Sequence, residues 1–465
     1  MDDPVIKRAA LVVASLSSFM TPFMGSAVNI ALPAIAGEFE INAVLLSWIA
    51  TSYLLASAVF LVPFGRLADI HGRKKVFGWG ILIFTLASVL CSLSSSASTL
   101  IAWRVLQGAG SAMIFATGMA ILTSVFPPQE RGRVLGINVA AVYAGLSLGP
   151  VLGGFLTQHA TWRSIFLFNL PMGGVILFLL LWKVNQEWAE AKGEAFDWAG
   201  ALIYMAGIIG IMYGISLVPS RASFWFFLFG LLALSGFVIF EARVEHPVFQ
   251  INLFRANRVF IFSSLAALIN YSATFAVAFL LSLYLQNIKG YGPQQAGFVL
   301  IFQPLVMAAF SPFAGRLSDK IEPRIVSSLG MGLTTLGLLF LAFLKQDSSI
   351  PFIVSVLTVL GLGFALFSSP NTNAIMGSVE KRLYGIASGT VGTMRLLGMV
   401  VSMGIATVIF AIFLGRVQIT PSAYPLFMQA IKTAFIIFSF LCLAGTFASL
   451  VRGRLHKRGK PRVFS

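Results

Sequence analysis

Charge is scarce in this sequence, and acid is scarcer than base. Of 465 residues 10% are charged, with 16 acidic side chains, four histidines and two cysteines. The shortage of polar groups excludes a soluble globule, because 58% hydrophobic residues leave too little polar surface to cover a core of this length. A mean hydropathy of +0.90 agrees with a polytopic membrane protein. Cys91 and Cys442 both lie within apolar runs, so neither a disulfide framework nor a metal site is supported. No Ser/His/Asp set, metal cluster or phosphate-binding glycine loop is recognisable, so neither enzyme activity, nor a cofactor, nor a metal is expected.

What the sequence has is hydrophobic length. Apolar runs near the size that crosses about 30 Å of hydrocarbon recur fourteen times. They cover approximately 9–33, 44–65, 76–94, 98–125, 133–157, 163–184, 197–217, 223–242, 259–286, 294–315, 324–344, 350–376, 384–414 and 428–451. All are expected to be helices, since lipid offers no partner to an unpaired backbone group. Lys7 and Arg8 precede a first run without a convincing cleavage site, which reads as a retained span. With the N-terminus inside, about 24 Lys and Arg fall in inside segments and about 6 outside, which places both termini in the cytoplasm. A net charge of +16, which in a soluble chain would suggest nucleic acid, is therefore a membrane-orientation signal.

One turn brings an acid, two glycines and three consecutive cations together between two apolar runs, Gly65-Arg66-Leu67-Ala68-Asp69-Ile70-His71-Gly72-Arg73-Lys74-Lys75. A weaker copy, Gly315-Arg316-Leu317-Ser318-Asp319-Lys320, follows 250 residues later in a similar setting. The repeat predicts two related halves with extra chain between them. The expected units are a six-helix bundle over 1–184, a connector with two further spans over 185–249, a second six-helix bundle over 250–451 and a basic tail over 452–465. The glutamate-rich link from Asn185 to Asp197 reads as an exposed cytoplasmic connector, and the tail as an anchor touching anionic lipid.

These residues carry a resemblance. The turn at 65–75 resembles the signature turn of the major facilitator superfamily. Arg104-Val105-Leu106-Gln107-Gly108 is similar to its Arg-x-x-Gln-Gly motif, and Gly145-Leu146-Ser147-Leu148-Gly149-Pro150-Val151-Leu152-Gly153-Gly154 to the GxxxGPxxGG motif associated with exporters. Asn29-Ile30-Ala31-Leu32-Pro33 and the stretch Trp162-Arg163 to Asn169-Leu170-Pro171 resemble the fourteen-span drug/proton antiporter branch, the EmrB/QacA type. The resemblance implies an all-α polytopic fold of fourteen transmembrane helices arranged 6+2+6. It further implies export of a small amphiphilic substrate across a bacterial-type inner membrane, with protons as coupling partner, accessory export proteins as possible partners and a functional monomer.

Each motif also has a physical reading. Gly65, Asp69, Gly72, Arg73 and Lys74, with Gly315 and Asp319, suit a conformational latch between halves; the plain alternative is a charged loop at the membrane surface. Gly145, Gly149 and Gly153 line one helix face, with Gly154 and Pro150 beside it, and suit either sliding contact with the other half or tight static packing. Arg104 within a span needs water or a partner; it is either an anion contact, like Arg395, or the centre of a network with Gln107. At Met24, five residues before Asn29, the resemblance leads one to expect an acid. All sixteen acids fall in loops or near helix ends, and no histidine is at mid-membrane. The cavity is therefore expected to suit neutral, zwitterionic or anionic amphiphiles better than organic dications, and proton coupling would have to use Asp69 or another rim acid, or a protonatable substrate. Asn138, Tyr143, Asn270, Tyr271, Gln303, Asn371 and Asn373, with Asn29, are the polar candidates for lining it. The function read from the sequence is thus export by alternating access, with transport of one metabolite or lipid as an alternative and a non-transporting membrane sensor as a third.

Overall fold

In a computed structural model the chain is helical, and residues 4–245, 247–249, 257–380, 384–415 and 417–453 are described. Among these, fourteen helices are long and apolar enough to cross a membrane, and no strand is present. In chain order they are α1 (Pro4–Phe39), α2 (Ala43–His71), α3 (Arg73–Ser92), α4 (Ala97–Val125), α5 (Pro128–His159), α6 (Arg163–Lys183) and α7 (Trp198–Ser216). There follow α8 (Arg221–Glu241), α9 (Arg258–Ile288), α10 (Pro293–Lys320), α11 (Pro323–Ala342), α12 (Ile350–Gly377), α13 (Tyr384–Phe413) and α14 (Tyr424–Val451).

Short polar residues at the breaks start the helices, because their side chains satisfy amides that have no partner within the first turn. Asn42 accepts from the Leu45 amide, Ser96 exchanges bonds with Thr99, Asp197 accepts from the Gly200 amide and Asn257 from the Phe260 amide. These four helix starts are thus capped by side chains.

Helices of the two regions pair in the same way. The pairs α1–α5, α2–α4, α3–α4 and α3–α6 have counterparts in α9–α13, α10–α12, α11–α12 and α11–α14. The hairpin α7–α8 lies between, and α7 packs on both α2 and α13. Tyr204 of α7 donates to the Ala58 carbonyl of α2 at 2.9 Å, and Val59, Val62, Tyr204, Ile208 and Phe237 share one buried cluster.

Close approach of α1 to α5 requires glycine. A Cβ on Gly145 would overlap the Phe19 carbonyl, one on Gly149 would lie 2.7 Å from Ser26 Cβ, and one on Gly153 would lie 2.8 Å from Ala27 Cβ.

The link from Asn185 to Asp197 is largely exposed, and it is strapped to the turn between α2 and α3 by backbone and side-chain bonds described below. One expectation from the sequence needs correction. Arg452, expected in a lipid-touching tail, is 1% exposed and donates to Asn371 Oδ1 (2.8 Å), Ser263 Oγ (3.3 Å) and Ser327 Oγ (3.0 Å). Burial pushes its guanidinium down to about 10, with Glu322 opposing and Arg324 reinforcing the shift. The rest of the tail, from residue 454, lies outside the described residues, as do the boundary at 250 and Arg416.

Candidate functional site

Polar groups at mid-depth converge between α5 of the first region and α9, α10, α12 and α13 of the second. Tyr143, Tyr271, Met307 and Phe364 each stand near the middle of their helices, and Met399 of α13 packs with them. Arg395 donates from Nε to the Tyr271 hydroxyl at 3.0 Å and lies 5.2 Å from its ring centroid. The Tyr143 and Ser311 hydroxyls are 3.3 Å apart, and Ser311 also donates to the Met307 carbonyl at 2.6 Å. Tyr271 meets Phe364 edge to face, with ring centroids 5.3 Å apart. The site combines aromatic and thioether surface with one cation, a combination suited to an amphiphile.

Both termini of the described chain and the 65–75 turn lie at one end of the bundle, here the terminal end. Hydrogen bonds between the two regions gather at the other, far end. There Ser282 donates to the Asn29 carbonyl (2.7 Å), Gln286 to the Ile30 carbonyl (3.0 Å) and Gln418 to the Glu40 carbonyl (2.6 Å). Ser47 and Thr407 hydroxyls are 2.8 Å apart, and the Gln294 amide donates to Gln158. Toward the terminal end, Ser388 donates to Met119 Sδ at 2.9 Å.

The remaining candidates are distributed elsewhere. Arg104, 1% exposed, donates to the Ile49 carbonyl (3.1 Å) and to Gln107 Oε1 (2.5 Å), and its guanidinium lies 4.3 Å from the Tyr53 ring centroid. Gln107 in turn donates to Ser88, so this pair joins α2, α3 and α4 within the first region, away from the tyrosine cluster. Asn371 donates to the Ser263 carbonyl and receives Arg452, while Asn373 donates to Ser318; both stand toward the terminal end. Asn270, beside Tyr271, is wholly buried with neither amide atom bonded, and Oδ1 of Asn29 and of Asn138 is likewise unpartnered. Gln303 is half-buried in α10.

The glycine face of α5 divides between two neighbours. Gly145, Gly149 and Gly153 meet α1 of the same region. Gly154 and the Pro150 carbonyl meet the start of α10, at Pro293 and at Gly297.

The turn at 65–75 meets the connector. Arg73 pairs with Asp69 (2.8 Å) and Glu190 (2.7 Å) and donates to Ser124 (2.8 Å), while Arg66 pairs with Glu194 (2.5 Å). The Lys74 amide donates to Glu187 at 2.8 Å. The backbone joins too, from the Arg73 amide to the Trp188 carbonyl and from the Ala191 amide to the Asp69 carbonyl. Gly72 has φ +118°, and a Cβ there would strike the Glu187 side chain. In the second copy, a Cβ on Gly315 would lie 2.9 Å from Ser369 Oγ, and Asp319 is exposed.

Sequence reasoning missed Met307, Ser311 and Phe364, which complete the central cluster, and the burial of Glu241. That carboxylate, 2% exposed at the end of α8, accepts from the Val248 and Phe249 amides at 3.3 Å. Matching residues by depth along their helices would have found the first three.

The profile of the Major Facilitator Superfamily matches residues 14–403, and again 263–464. The chain belongs to this superfamily. As a superfamily transporter it is an integral, multi-pass membrane protein and not an enzyme. The chain is 32% identical over 413 residues to the riboflavin transporter RibZ of Clostridioides difficile, covering 88% of this chain and 89% of that one. It is 31% identical to the multidrug resistance protein Stp of Mycobacterium tuberculosis, covering 87% and 76%. It is 32% identical to the cephamycin export protein CmcT of Amycolatopsis lactamdurans, covering 84% and 82%. Among solved structures, a bacterial homologue of the human lysosomal transporter Spinster superposes with a TM-score of 0.69 at 14% identity, covering 97% of this chain and 98% of that one. The human organic anion transporter MFSD10 superposes with a TM-score of 0.64 at 13% identity, covering 96% and 100%.

Proposed function

We propose that this superfamily transporter is a secondary active exporter of amphiphilic small molecules, working by alternating access and exchanging substrate for protons. The observation that carries the reading is the uneven closure: the two helix regions are bonded at the far end, and an aromatic site with one cation lies at mid-depth between them. Helices α1–α6 and α9–α14 then act as the moving units, with α7–α8 as two extra spans, which is the 6+2+6 arrangement of the fourteen-span antiporter branch. Both termini and the turn at 65–75 face the cytoplasm of a bacterial-type cell, and one chain suffices for transport.

In this reading Asp69, Gly72, Arg73 and Lys74 form a latch that exchanges connector partners for partners on the second unit as the cycle proceeds. The names of Stp and CmcT support export of chemically varied compounds. A second reading, transport of one specific metabolite, is favoured by 32% identity to a protein named a riboflavin transporter.

Proteoliposomes carrying an internal pH dye test both readings with riboflavin and a panel of cationic, neutral and anionic amphiphiles. Proton movement driven by several unrelated compounds, and lost in Asp69→Asn, is the expected result. Movement with a single compound supports the metabolite reading. Binding without uptake of any compound sinks export and returns the sensor.

A further inference from the structure

We propose that Arg395 is an anion receptor, and that the transported class is an aromatic or aliphatic amphiphile bearing one carboxylate. This inference rests on the exporter reading and deepens it at the same site.

Among the described residues three guanidinium groups are held between membrane-spanning helices, and comparing them isolates the third. Arg104 is satisfied by a backbone carbonyl and an amide oxygen, and Arg452 by an amide oxygen and two hydroxyls; each is 1% exposed. Several such bonds are what a structural cation needs when water is excluded. Arg395 is different. Its one hydrogen bond runs from Nε to Tyr271, and no carboxylate of the described residues lies within ion-pairing distance. Its side chain is not fully enclosed, and neither η nitrogen has a hydrogen-bond partner among the described residues.

The neighbours make the site still richer in donors. A phenol that accepts from a guanidinium keeps its own proton for another acceptor, so Tyr271 offers an O–H to the same space. The Ser311 proton goes to the Met307 carbonyl at 2.6 Å. The nearby side chains Met307, Phe364 and Met399 supply apolar surface and no negative charge. A planar fork of N–H groups beside a phenol matches the two oxygens of a carboxylate, while an organic cation would meet uncompensated like charge. The apolar lining holds the remainder of the molecule.

Binding to protein in phosphatidylcholine nanodiscs tests the proposal with three probes of one shape: 2-naphthoate, its methyl ester and 2-naphthylmethylammonium. Calorimetry of the wild type is expected to give at least about tenfold tighter binding of naphthoate than of either other probe. Arg395→Gln removes that preference. Arg395→Lys, which preserves charge where the glutamine variant fails to fold, retains preference over the ester with weaker affinity. Tyr271→Phe weakens naphthoate more than it weakens the ester, because the charge-assisted bond is the stronger one.

Equal binding of the three probes, or a preference that survives Arg395→Gln, overturns the proposal. Displacement of naphthoate by phosphatidylglycerol added to the discs assigns the receptor to a lipid headgroup and overturns its small-molecule form. Failure of the exporter reading is separable. Naphthoate that binds through Arg395 but is not moved by proteoliposomes leaves the receptor standing without export, and charge-blind export leaves export standing without the receptor.

Discussion

Arg73 of the turn between α2 and α3 reaches Glu190 of the connector at 2.7 Å, joining residues 117 apart in the chain. The bond is asymmetric in its surroundings. Arg73 is buried to 10% side-chain exposure and also holds Asp69 and Ser124, whereas Glu190 is 70% exposed.

That asymmetry predicts unequal costs. Glu190→Gln should change stability by less than about 1 kcal/mol, because an exposed partner is screened and readily replaced by water. Arg73→Met should cost about 2 kcal/mol or more, since Asp69 and Ser124 lose their donor together. Thermal unfolding of the purified variants checks the order; equal melting temperatures would contradict the unequal costs assigned to Arg73 and Glu190.

Glycines on a single helix should respond in opposite directions. Gly145→Ala drives a methyl group into the Phe19 carbonyl and is expected to cost about 1–3 kcal/mol. Gly136→Ala, with nothing within 4 Å of the added atom, should stabilise by about 0.4–1 kcal/mol through reduced freedom of the unfolded chain. Melting of both variants against wild type decides it.

Buried Arg104 should behave as a fixed strut. Arg104→Ala removes a donor from the Ile49 carbonyl and from Gln107 and opens a cavity beside Tyr53, an expected loss of about 3 kcal/mol. Correctly folded Arg104→Lys protein should retain the substrate selectivity of the wild type. A changed order of preference among the three naphthyl probes would instead put Arg104 in contact with substrate.

The far-end closure can be locked. With Ser47 and Thr407 hydroxyls 2.8 Å apart, a Ser47→Cys/Thr407→Cys pair is close enough to oxidise to a disulfide, and native Cys91 and Cys442 are both buried and compete little. Oxidation should stop turnover, and reduction should restore it. Undiminished transport by crosslinked protein would contradict alternating access through that interface.

The membrane-spanning helices were legible because hydrocarbon permits few alternatives to an uninterrupted apolar run. Tyr143, Tyr271 and Arg395 stood out as polar groups far from any loop, and their convergence is a matter of depth. Ser311 gave no such signal, since a serine in a span commonly bonds its own preceding turn, as it does here to Met307. The strap was illegible for another reason. Glu187, Glu190 and Glu194 in a polar linker look like a solvated face, and their partners lie more than a hundred residues earlier in the chain. Glu241 ends an apolar run, where a carboxylate ordinarily reaches water; only the fold brings the Val248 and Phe249 amides over it.

Anchoring of the α7–α8 hairpin limits where movement can be absorbed. The connector is tied to α2 and α3 at Asp69, Arg73 and Lys74, and Tyr204 ties α7 to Ala58. The latch exchange proposed above would have to break the connector bonds, while Tyr204 still holds α7 on α2 and α7 also packs on α13.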